Sequence, residues 1–249
     1  MVGTGGNPVP GSLKSEAIVL RSMRYGEADR ILHVYTPDRG RLSAIAKGVR
    51  RSKSRFGGRL EPYFRLRLVL YQGRSDLLTV TSAETLHGHP RLREHGGALD
   101  AAARACDAVG RLFDDGDPHR GVYNLLGNQL ALLDAEPARA TRANALAFRL
   151  KLLLAAGFAP QLAACASCGE TEHLVGFSGA AGGVVCSACE ANAFALGQEA
   201  HDFLVGALGL PLAEAPEAPP RALAQAERAI LATLEHHAHL RLRPVGGHL

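Results

Sequence analysis

Four cysteines constrain this chain more than any other feature. Cys165-Ala-Ser-Cys168-Gly169 is followed, after seventeen intervening residues, by Cys186-Ser-Ala-Cys189. A C-x2-C pair lets two thiolates converge on one ion, and Gly169 suits the tight turn behind the second sulfur. Two such pairs supply the four-sulfur tetrahedral set that zinc prefers, so Cys165, Cys168, Cys186 and Cys189 are expected to bind zinc rather than form disulfides or a redox pair. Catalytic zinc usually keeps three protein ligands and an open position, whereas four thiolates close the shell, so the expected ion is structural. His173, inside the same segment, is expected at the surface. Cys106 reads as a small core residue. His236 and His237 point about 100° apart on a helix, which argues against a shared ion there.

The remainder of the 249 residues divides by period. From Lys14 to Glu84 short strands alternate with turn residues: 17–20, 30–35, 41–46, 63–71 and 77–83. Thr36-Pro37-Asp38-Arg39-Gly40 is a hairpin turn, with Pro pre-setting φ and Gly allowing positive φ. In the fourth strand Phe64, Leu66, Leu68 and Leu70 share one face, and Arg65 and Arg67 the other. Five short strands suit a small closed barrel of the OB type, although an SH3-like barrel gives a similar pattern.

After residue 86 the pattern becomes helical over 98–113, 121–133, 139–156, 197–208 and 220–239. Leu146, Leu150, Leu153 and Leu154 form an apolar stripe, with Arg142, Arg149 and Lys151 off it. Gly157 ends that helix. The expected fold is thus α+β: a flexible leader over 1–12, a nucleic-acid-binding barrel over 13–86, a helical domain over 87–160 and 193–249, and a zinc module inserted at 161–192.

Charge is unevenly spread. The net +4 resolves into fifteen Lys/Arg against seven Asp/Glu in residues 1–85, and thirteen against seventeen beyond. A basic front half suggests a polyanionic partner. Its densest part, Lys47 to Arg59, holds six cations and no acid between the third and fourth strands. Arg39, Arg41, Lys47, Arg50, Arg51, Lys53 and Arg55 are the expected phosphate contacts, and Phe56 an expected stacking partner for an unpaired base. Tyr25, Tyr35, Tyr63 and Tyr71 are further stacking candidates, two or three of which belong in a barrel core. Asp114, Asp115 and Asp117 read as a solvated turn.

No Walker A loop, Ser/His/Asp set or paired-carboxylate arrangement is evident, so no enzymatic activity is expected. The N-terminus carries no secretory signal and no run is long enough for a membrane helix, so a cytoplasmic location is expected.

Lys14-Ser-Glu-Ala-Ile-Val-Leu-Arg21, Tyr25-Gly-Glu-Ala-Asp29, Thr36-Pro-Asp-Arg-Gly40, Ala46-Lys-Gly-Val-Arg50, Phe148-Arg-Leu-Lys-Leu-Leu153, Gly157-Phe-Ala-Pro160 and the first cysteine pair occur in an order that resembles the RecO family of bacterial recombinational repair. The resemblance implies an OB domain, a helical domain and a zinc segment. It also implies binding of single- and double-stranded DNA, annealing of complementary strands, and loading of RecA, with RecR, onto DNA coated by single-strand binding protein. That work takes place on DNA in the cytoplasm, at the nucleoid. Arg142, Arg149 and Lys151 are candidate contacts for the acidic tail of single-strand binding protein. A different reading of the same parts is an RNA-binding or transcription-associated barrel and zinc-ribbon protein.

Overall fold

The structure is a computed structural model describing residues 11–51, 54–73, 77–237 and 239–245. It forms two compact units, 1–90 with 113–130, and 91–112 with 131–249. The expected helical domain, 87–160 with 193–249, includes 113–130, but that segment packs with the barrel instead.

In the first unit β1 (Gly11–Tyr25), β2 (Asp29–Thr36), β3 (Gly40–Ala46), β4 (Arg65–Gln72) and β5 (Leu78–His87) form a closed barrel in the order β1-β2-β3-β5-β4. Closure depends on the long β1, whose first half pairs with β4 and second half with β2, the register shifting between Val19 and Arg21. β3 and β5 run parallel through Ala44–Leu78 and Ile45–Thr79. This is the five-stranded OB-type arrangement that the alternation implied.

Alternation fixes the core. Ala17, Val19, Leu32, Val34, Leu66, Leu68 and Leu70 fill the interior, joined by Phe56 and Leu60 from the loop after β3. Opposite-parity residues line the outer face. There Arg65 pairs with Glu16 and Arg67 with Glu84, at 2.7 and 2.8 Å.

Residues 113–130 cover part of that outer face. Tyr35, fully buried, meets Phe113 edge-on with ring centroids 6.0 Å apart. Gly40 has φ +63, and a Cβ there would lie 2.1 Å from the Asp117 carbonyl oxygen, so only glycine allows this approach. Asp115 was expected to be merely solvated; its carboxylate instead accepts from Arg41 at 2.5 Å.

The second unit contains α1 (Gly96–Leu112), the end of α2 (Arg120–Ala135), α3 (Arg142–Ala155), a three-stranded sheet of β6 (Leu174–Ser178), β7 (Gly183–Cys186) and β8 (Phe194–Ala195), then α4 (Gln198–Gly209) and α5 (Pro220–His237). The sheet order is β7-β6-β8. Thr141 caps α3 by accepting from the Asn144 amide. At its other end Gly157, φ +79, stands in a Schellman turn, with Phe158 N–H donating to Leu153 and Gly157 N–H to Leu154.

Leu146, Leu150 and Leu153 are buried as the stripe requires, but Leu154 is 52% exposed. It sits one residue past Leu153, about 100° around the helix, and leaves the core. Arg149, expected on the solvent side, is 5% exposed. Its guanidinium lies beside the buried Glu227 carboxylate, 3.7 Å away, and donates to the Arg243 carbonyl at 2.5 Å. Arg142 donates to the same carboxylate at 2.7 Å. Among the described residues, no helix is long and apolar enough to cross a membrane.

Candidate nucleic-acid interface and metal centre

The turn joining β1 to β2 and the loop leaving β3 are held side by side. Gly26, φ +56, reverses the chain. The Asp29 carboxylate accepts from the Gly48 amide at 2.7 Å, and the Ala28 carbonyl from the Arg50 amide at 3.0 Å. The Arg50 guanidinium donates to the Glu27 carbonyl at 3.0 Å. These bonds place the start of the basic segment against the β1–β2 turn. Lys47, Arg50 and Arg51 are exposed there, as are Arg24 and Tyr25; Arg21, also exposed, lies further back on β1 opposite His33. Tyr25 is 53% exposed.

The arrangement combines fixed cations with an open aromatic ring, the two groups that bind a phosphate backbone and an unstacked base. Arg21 and Arg24 were missed in the sequence because they stand singly within β1. For Arg24 the signal was proximity to the Tyr25-Gly26 turn, which becomes a cationic edge only once β2 folds back.

The other expected contacts fare differently. Phe56 does not serve as a stacking platform: it is 1% exposed, packed into the barrel core. An apolar ring in a loop adjoining an open barrel end gains more from burial than from solvent. Arg55 sits 4.8 Å from the Phe56 ring centroid and donates to the Val80 carbonyl at 3.3 Å, bracing the loop. Arg39 is exposed in the β2–β3 hairpin turn, whereas Arg41 is paired with Asp115. Lys53 lies outside the described residues. Of the four tyrosines, Tyr35 is buried, Tyr63 half-buried, and Tyr25 and Tyr71 exposed.

Two partly buried networks steady this unit. Glu16 accepts from Arg65 and from the Tyr123 hydroxyl, the latter at 3.2 Å. Arg65 holds the Glu16 carboxyl below its ordinary range, while burial pushes Tyr123 up to about 12. His33, bonded to Ser43 at 3.0 Å, has its pKa lowered first by burial and then by Arg21 and Arg41, which disfavours its charged form.

In the second unit the four cysteines converge. All four sulfurs lie within 4.8 Å of one another. Zinc–sulfur bonds of about 2.3 Å in a tetrahedron require sulfur–sulfur edges of about 3.8 Å, and Cys168 Sγ lies 3.7 Å from Cys186 Sγ. Gly169, φ +82, makes the first turn, its amide donating to the Cys165 carbonyl at 2.8 Å. The second pair lacks that glycine, with Glu190 in its place; Asn192, φ +68, belongs to the turn that follows, closed by the Ala193 amide on the Glu190 carbonyl at 2.9 Å. The set therefore fits a four-coordinate, thiolate-preferring ion. Such an ion would supply a cross-link between the two turns. Arg142, Arg149 and Lys151 do not form a free cationic patch. The first two are bound to Glu227, and Lys151 Nζ donates to the Leu208 carbonyl at 2.9 Å.

Comparison with known proteins gives a consistent result. Residues 12–89 match the family described as Recombination protein O N terminal, and residues 93–244 match Recombination protein O C terminal. The chain is 41% identical over 227 residues to a DNA repair protein RecO of Rubrobacter xylanophilus, covering 88% of each sequence. The DNA repair protein RecO of Anaeromyxobacter sp. (strain K) is 37% identical, over 92% of this chain and 93% of the relative. That of Myxococcus xanthus is 32% identical, over 92% and 94%.

Proposed function

The chain belongs to the RecO family of DNA repair proteins, and on that premise we propose that it is a non-enzymatic recombination mediator. It binds single- and double-stranded DNA, anneals complementary strands and, with RecR, helps load RecA onto DNA coated by single-strand binding protein. It acts in the cytoplasm, at the nucleoid. The observation that carries the DNA-binding part is the docking of the Lys47–Arg51 segment against the β1–β2 turn, which sets exposed Tyr25 beside exposed Arg24, Arg50 and Arg51.

The chemistry needed is modest. Cations along the rim neutralise phosphates and release counterions, which favours binding without reading sequence. An exposed ring accepts any base. Two strands held at one cationic rim repel each other less, so pairing between them accelerates. No bond is made or broken, and no nucleotide is consumed. The four-cysteine centre, which would hold zinc, braces the second unit.

Annealing of two complementary oligonucleotides, naked and coated with single-strand binding protein, tests the reading. The expected result is faster annealing of both without ATP, with RNA competing poorly. Absence of annealing, together with preferential RNA binding, would favour an RNA-binding barrel and ribbon protein instead.

A further inference from the structure

We propose that the groove between the cysteine-bearing loop and α4 docks a basic, amphipathic segment of a partner protein. The groove encloses about 580 Å³. One wall is Thr171 and Leu174, which lie between Cys168 and Cys186, together with Leu162 from the approach to the loop. The other wall is the α4 face carrying Val205 and Leu208. Val205 is 47% exposed, a large value for a β-branched apolar side chain on a helix that buries Phe203 and Leu204. Contiguous apolar surface in a cleft marks a place where another chain binds.

The walls are set rather than collapsed. His201 Nε2 donates to the Leu162 carbonyl at 2.8 Å, and Lys151 Nζ to the Leu208 carbonyl at 2.9 Å. Leu174 packs against the Cys165–Val185–Cys186 cluster and pairs with Cys186 across β6 and β7. Two basic side chains beside the groove thus face backbone carbonyls. The exposed charged side chains that adjoin its lining residues in the chain are acidic. Glu170 and Glu172 flank Thr171 on one side, and Asp202 precedes Val205 by less than a turn on the other.

Charge decides the occupant. Acidic neighbours repel a nucleic-acid backbone and an acidic peptide. They favour Lys or Arg side chains around apolar anchors, the helix-in-groove mode with residues at i, i+3 or i+4. All of its lining residues belong to the second unit, so its test does not depend on DNA binding.

The experiment is fluorescence anisotropy on the full chain with a labelled fourteen-residue Leu/Lys amphipathic peptide. The controls are a scrambled peptide of the same composition and a version with Glu for Lys. Expected are saturable binding of the amphipathic peptide, at least tenfold weaker binding to Val205→Arg, and severalfold weaker binding to the combined Glu170→Gln, Glu172→Gln, Asp202→Asn variant. Wild-type hydrogen-exchange protection across α3, α4 and β6–β7, all in the second unit, certifies that each variant is folded. If Val205→Arg does not fold, Thr171→Arg on the opposite wall replaces it. Equal binding of the scrambled or acidic peptide, or wild-type affinity in the wall variant, overturns the proposal.

Discussion

Arg65 Nη2 lies 2.7 Å from Glu16 Oε2, and the Tyr123 hydroxyl donates to the same oxygen. Three residues far apart in sequence thus tie β1, β4 and the first turns of α2 within one unit. Because Arg65 depresses the Glu16 pKa below its ordinary 4.5, the carboxylate stabilises the fold above that value and the contribution fades as pH falls through the lowered pKa. Both side chains are partly exposed, so the effect is small. Thermal melts of Glu16→Gln should show a modestly lower Tm than wild type at pH 7, with the difference closing on acidification. A difference that widens in acid would contradict this assignment.

Phe56 and Tyr25 should separate stability from binding. Phe56→Ala empties a core position and should cost about 3–5 kcal/mol in urea unfolding. Tyr25→Ala should leave unfolding unchanged and weaken single-stranded DNA binding by about 1–3 kcal/mol, the usual contribution of one stacked base. The opposite pattern would return Phe56 to the interface.

Glu227 is nearly buried and serves two guanidiniums, those of Arg142 and Arg149, while also accepting from the Val245 amide. Burial lowers the Arg149 pKa and Glu227 opposes that shift. Removing the acid strands buried cations, so Glu227→Ala should cost about 3–5 kcal/mol. Denaturant unfolding followed by hydrogen exchange should place the loss in α3, α5 and residues 240–245, with β1–β5 unaffected.

Conversion of Cys165 to Ser should weaken metal binding at the four-cysteine site and raise hydrogen exchange across 161–196, while single-stranded DNA affinity stays within about twofold. Lost DNA binding with protection intact would make the metal loop part of the contact surface.

Much of this was legible in the sequence, for local reasons. Strand alternation placed Leu66, Leu68 and Leu70 inside the barrel and Arg65 and Arg67 outside. C-x2-C spacing brought four sulfurs together, and Gly157 ended α3 where a positive φ was needed. Leu154 apart, the main exceptions are set by partners distant in the chain. Nothing near Phe56 says that it enters the barrel. Arg149 reads as a surface cation until Glu227, on α5, is brought to it. Phe113–Leu130 looks like one more helical segment, yet Tyr35, Gly40 and Arg41 present a surface that it covers. Arg24 gains meaning only when the Lys47–Arg51 segment is bonded to the neighbouring turn.

The barrel rim is the central claim, and the salt dependence of single-stranded DNA binding tests it most directly. Each phosphate contact contributes a slope of about 0.7 in log affinity against log salt. Replacing Arg50 and Arg51 together with Ala should lower the magnitude of that slope by about 1.4 without changing the unfolding midpoint. An unchanged slope and affinity in the folded double variant would contradict the account.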